Sequence, residues 1–68
     1  MKNRKTQHVT PNSTGGWDVK KGGASKSTGH FKLKTDAVNF ARQVSKNQGA
    51  ELIIHGKDGK IQRTDSLW

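Results

Sequence analysis

Cysteine is absent from all 68 residues. That excludes disulfide staples and thiolate metal ligands, and it fits a reducing compartment. Tyrosine is absent too, leaving two Trp and two Phe as the whole aromatic complement. Single-strand nucleic-acid binders stack bases on exposed aromatics, so a chain with four rings to fill a core has few to spare. No apolar run approaches the ~20 residues of a membrane span. The start Met1-Lys2-Asn3-Arg4-Lys5 is basic, but no apolar stretch follows it as a signal peptide requires. The expectation is a cytoplasmic protein with no membrane partner. Hydrophobic residues make up only 28% of the chain, so the core must be small. Chains this short hold one domain and commonly lean on a metal or a partner subunit for stability.

Acids are scarce. The 13 Lys and Arg face 5 Asp and Glu, a net charge of +8. The excess is uneven: residues 1–34 carry eight cations against Asp18 alone, while residues 35–68 carry five cations against four acids. Such asymmetry is the footprint of a polyanion partner. A small domain also tolerates such a charge for solubility alone.

What is present begins at residues 52–61, Leu-Ile-Ile-His-Gly-Lys-Asp-Gly-Lys-Ile. Three consecutive apolar residues predict a buried strand. Asp58-Gly59 supplies the positive φ of a tight hairpin turn, and Ile61 restarts an apolar pattern. Upstream, residues 1–5 read as a flexible basic tail, with residues 6–68 a single α+β domain. Residues 6–10 read as a strand closed by Pro11, which cannot donate to a ladder. Residues 12–16 read as a turn. Trp17 and Val19 share one face of a second strand and belong to the core. Residues 20–29 read as a mobile Gly/Ser/Lys loop in which Gly22 is free to adjust. In residues 30–34, Phe31 and Leu33 alternate inward while His30, Lys32 and Lys34 point out. Thr35 then caps a helix over residues 35–48, with Asp36 in its first turn and Gly49 as its left-handed end. Ala37, Phe40, Ala41, Val44 and Gln48 fall on one side of that helix. Residues 51–55 and 60–64 complete the strands. Whether Trp68 packs or frays is left open.

Four motifs, in this order, resemble a known family. They are His8-Val9-Thr10-Pro11, Gly16-Trp17-Asp18-Val19, Thr35-Asp36-Ala37 opening a helix, and Ile54-His55-Gly56-Lys57-Asp58-Gly59-Lys60-Ile61. The family is one of small bacterial and phage proteins and is a domain of unknown function. The resemblance covers about residues 7–66. An aromatic usual near Ser66 looks replaced by Leu67 and Trp68. The resemblance implies the succession β-β-β-α-β-β and carries no activity or site residue.

Alternation places His8, His30 and His55 on one face of a shared sheet. Three imidazoles can hold zinc, but these lack short ligand spacing, so no metal or other cofactor is expected. Residues 23–28 end like a phosphate-binding loop yet lack its second glycine and the following helix. The five acids form no pair and no nucleophile motif is present. The chain reads as a non-enzyme. The expected fold is an antiparallel sheet of about five strands with one helix on one face. The uncovered face is the candidate site, presenting Lys20, His30, Lys32, Lys34 and Arg63, with Lys21 and Lys26 in the adjoining loop. Its expected partner is DNA or RNA, bound through phosphates and without sequence preference. A protein partner or a second copy is the alternative, prompted by Ile53 on the same face.

Overall fold

The computed structural model describes residues 5–23 and 26–66. The expectations for Trp68 and for residues 1–4 of the basic tail fall outside those residues. Along the chain run β1 (Thr6–Pro11), β2 (Trp17–Lys21), β3 (Ser27–Phe31), α1 (Lys34–Gln48), β4 (Glu51–His55) and β5 (Ile61–Ser66). All five strands join one sheet in the spatial order β3-β2-β1-β4-β5.

The sheet is mixed, which corrects the antiparallel expectation. β1 pairs antiparallel with β2, β2 with β3, and β4 with β5, whereas β1 and β4 run parallel. The reason is the helix. Two hairpins leave β3 running the same way as β1. The helix then carries the chain back, so β4 starts at the end where β1 starts. β2 already occupies one edge of β1, and β4 takes the other. The ladder is anchored by the Glu51 N–H, which donates to the Lys5 carbonyl at 2.9 Å.

One face of the sheet is covered by α1, which packs on β1, β2, β3 and β4. Val9, Trp17, Val19, Leu52 and Ile54 meet Ala37 and Ala41 there, with Phe31, Val38 and Phe40 packed against them. The small Ala37 and Ala41 allow the close approach. Phe31 and Phe40 meet as a tilted pair with centroids 5.2 Å apart. Gly29 lies beneath them, where a Cβ would sit 3.0 Å from the Phe31 ring. Gly49 ends the helix at φ 64°, donating to the Lys46 carbonyl, as its type predicts.

Four local expectations are corrected. Residues 52–54 are not buried throughout: Leu52 and Ile54 face the helix, and Ile53 faces the other side opposite His8 and Thr64. Leu33 is 61% exposed because β3 stops at Phe31 and the chain turns toward the helix before it. The N-cap is Leu33, with no side-chain cap bond, and Thr35 lies inside the first turn. Gly22 is not free, since its N–H donates to the Thr6 carbonyl at 2.9 Å.

Candidate nucleic-acid interface

The chain's register gathers cations at one end of the sheet. Gln7 opposes Lys21 and His8 opposes Lys20 on β1 and β2. Lys20 in turn opposes Ser27, which places Lys26 beside it at the start of β3. The Gly22–Thr6 bond brings Lys5 to the same place. Lys5, Lys21 and Lys26 are exposed and Lys20 is half-buried. Lys20, opposite His8, lies on the open face and Lys21, opposite the buried Gln7, on the helix side, so the group straddles the end of the sheet rather than one face. Two acids border this group: Glu51, opposite Thr6 on β4, and Asp18, two residues before Lys20 on β2. Lys5 is the residue that sequence reasoning missed, because it read as part of a free tail. No signal in the sequence marks the Thr6–Gly22 bond that places it.

The remaining candidate cations do not join them, which corrects the single basic sheet face. Lys32 and Lys34 follow the end of β3 rather than extending it. Lys34 lies 5.0 Å over the Trp17 ring and donates to the Gln62 amide oxygen, on the helix side. Arg63 opposes Ile54, so it too points to the helix side, and its Nε lies 3.1 Å from Asp65. Its charge is offset by that carboxylate. His30 does lie on the open face, where its Nδ1 is 2.6 Å from Asp18. Asn12 donates to the other oxygen of the same carboxylate at 2.9 Å. Asp18 thus orients His30, whose Nε2 edge lies over Gly16.

The centre of the open face is a chain of hydrogen bonds. His55 Nδ1 lies 3.0 Å from the Gly59 carbonyl, His55 Nε2 lies 3.1 Å from His8 Nδ1, and His8 Nε2 lies 3.2 Å from the Thr6 hydroxyl. A carbonyl only accepts, so His55 carries its proton on Nδ1 and, being neutral, accepts at Nε2. His8 must then donate from Nδ1 and accept the Thr6 hydroxyl at Nε2. The ring centroids are 5.3 Å apart against 3.1 Å between the facing nitrogens. The rings therefore meet tip to tip, as a hydrogen bond requires, and are not stacked. Burial of the His8 ring, and then the neighbouring His55, push the His8 pKa below the ordinary histidine range. Alternation placed all three histidines on this face, and the structure does so. It brings only His8 and His55 together; no group of three or more metal-ligating side chains forms among the described residues. No pocket forms among them either, and no helix is long and apolar enough to cross a membrane.

A family model described as "Uncharacterized protein conserved in bacteria (DUF2188)" matches residues 7–67. The chain belongs to that family. The match spans every strand of the sheet and the helix over it. Among curated proteins, the "Uncharacterized protein YdaT" of Bacillus subtilis (strain 168) is 34% identical over 59 residues, covering 87% of this chain. The chain spans 39% of that relative's length. No solved structure matches the chain. The family description names no activity, so the surface itself carries the functional argument.

Proposed function

We propose that the chain is a non-enzymatic module that associates with nucleic acid through phosphate contacts and without reading sequence. The observation that carries this reading is the cluster of Lys5, Lys20, Lys21 and Lys26 at the paired ends of β1, β2 and β3. Lysine is a flexible point charge suited to phosphate and carries no base-reading geometry. The helix spends its Ala37 and Ala41 face on the core and turns only two cations outward, Arg42 and Lys46.

Fluorescence anisotropy with a mixed-sequence duplex DNA and an RNA hairpin tests the reading. With about four phosphates neutralised, affinity should fall with salt at a log–log slope near −3 to −4. Replacing Lys5, Lys20, Lys21 and Lys26 by Ser should flatten the slope. Replacing Lys57 and Lys60, in the turn at the far end of β4, should barely change it. No binding at low salt would overturn the proposal.

A second reading is a protein-interaction surface, favoured by Ile61 at 62% exposure and by Ile53 on the open face. It predicts self-association or partner binding that salt does not weaken, readable by sedimentation at two ionic strengths.

A further inference from the structure

We propose that the His8–His55 pair is a proton-binding site at the centre of the open face, and that the one proton it accepts strengthens phosphate binding beside Lys20. This rests on the nucleic-acid reading above and names a control over the same surface.

The geometry fixes how many protons the pair can take. In the neutral chain, His55 Nδ1–H donates to Gly59, His8 Nδ1–H donates to His55 Nε2, and the Thr6 hydroxyl donates to His8 Nε2. A proton added at His8 Nε2 reverses only the Thr6 hydroxyl, which turns from donor to acceptor. The other two bonds keep their direction, and the one between the rings becomes charge-assisted. A proton on His55 Nε2 keeps every bond as well, because His8 then accepts at Nδ1 and donates from Nε2 to Thr6. The two forms differ only in which side of the 3.1 Å gap holds the shared hydrogen, and a second added proton would put two hydrogens into that gap. The pair therefore accepts one proton with every bond kept and a second only by breaking apart.

The neighbours decide what the charge does. On β2, Lys20 stands opposite His8. On β4, Glu51 lies toward the start of the strand, opposite Thr6. Farther along β2 and β3, Asp18 and His30 satisfy each other. In the turn that holds His55, Asp58 accepts the Lys60 N–H, with Lys57 beside it. The open-face residues of β5, Thr64 and Ser66, carry no charge. A proton on the pair thus adds its charge beside Lys20 and extends the lysine cluster toward the centre of the sheet. Burial holds His8 uncharged at neutral pH, so the change falls on the acid side.

The test measures duplex DNA affinity at constant ionic strength at pH 7.5 and 5.5, with imidazole nitrogen NMR on the free chain. The wild type should gain affinity at least fivefold on acidification, within the tenfold per pH unit that one linked proton permits. His30→Gln should keep most of the gain. His8→Gln should lose most of it while remaining folded by its amide spectrum. In the NMR titration, His55→Gln should move the His8 midpoint upward. A gain that survives intact in His8→Gln, or a His8 midpoint unmoved by His55→Gln, overturns the inference while leaving the binding reading in place. No duplex binding at either pH overturns the binding reading, and the linkage with it.

Discussion

Thr6 touches three things at once. Its carbonyl holds the Gly22 N–H, its hydroxyl holds His8, and a Cβ built on Gly22 would come within 2.0 Å of that hydroxyl oxygen. Gly22→Ala should therefore turn the Thr6 side chain away and cost about 1 kcal/mol through the lost hydrogen bond. The effect should shrink in a Thr6→Ala background, a double-mutant cycle readable by urea unfolding. Gly59→Ala should cost a similar amount for a different reason. Gly59 has φ 84° with open space around it, so the penalty is backbone strain of about 1 kcal/mol and is independent of Thr6. The Gly59 turn was legible in the sequence because Asp-Gly is a local signal. The Gly22 contact was not, because its partner is sixteen positions away and nothing in a Gly-Gly pair names it. His8 adds a pH dependence at this scale. Its pKa is lower folded than in the unfolded chain, where it sits near 6.5. Between those two values the unfolded chain binds more protons, so stability rises with pH there. The contribution is complete above pH ~6.5 and is lost as pH falls through the lowered value. Denaturation at pH 7.5 and 5.5 should show the decline, and His8→Gln should flatten it.

The helix carries its own anomaly. Ser45 is fully buried against the sheet, and its hydroxyl has no partner among the described residues; the neighbouring Gln7 is buried with one amide oxygen in the same condition. Gln7 otherwise donates to Gln48 at 3.3 Å. Ser45→Ala removes an unsatisfied hydroxyl and raises helix propensity, so it should be neutral or stabilise by up to about 1 kcal/mol. A thermal melt shifted downward by several degrees would show that the hydroxyl is satisfied. The helix itself was legible: Asp36 in the first turn, Ala37 and Ala41 on the buried face and Gly49 as its end all stand as periodicity and cap chemistry give them. Ser45 was missed because a serine four residues beyond Ala41 reads as solvent-facing until burial is known. Leu33 was misread for the opposite reason. Alternation runs on in the sequence past Phe31, and no residue type there announces that the strand has ended.

For the molecule as a whole, Leu52 is the most consequential apolar side chain. It is fully buried and belongs to the strand that joins β5 to the rest of the sheet. Leu52→Ala should cost roughly 2–5 kcal/mol. That approaches the total for a chain of this size, at about 0.05–0.15 kcal/mol per residue. Calorimetry should find the cooperative transition greatly lowered or lost. The α+β class and the single helix followed from pattern, but the parallel β1–β4 pair did not. Hairpin turns are written in neighbouring residues, while a crossover is decided by which edge remains open after the helix. The geometry of the candidate surface was less legible for a related reason. Lys20, Lys21 and Lys26 stand close in the sequence, but that Lys32, Lys34 and Arg63 lie apart from them follows only from where β3 stops and which way β5 faces.

The position of β1 at the centre of the sheet sets the order in which this chain can be completed as it leaves a ribosome. β1, β2 and β3 emerge first and can pair as hairpins, with one whole edge of β1 bare until Glu51–His55 follows the helix out. During that interval the nascent chain exposes an unpaired strand edge with Val9 in it, the kind of template on which chains pair with one another. The cations that crowd the start of β1 and the end of β2 stand beside that edge. Like charge beside that edge sets half-made copies repelling one another before the edge is covered.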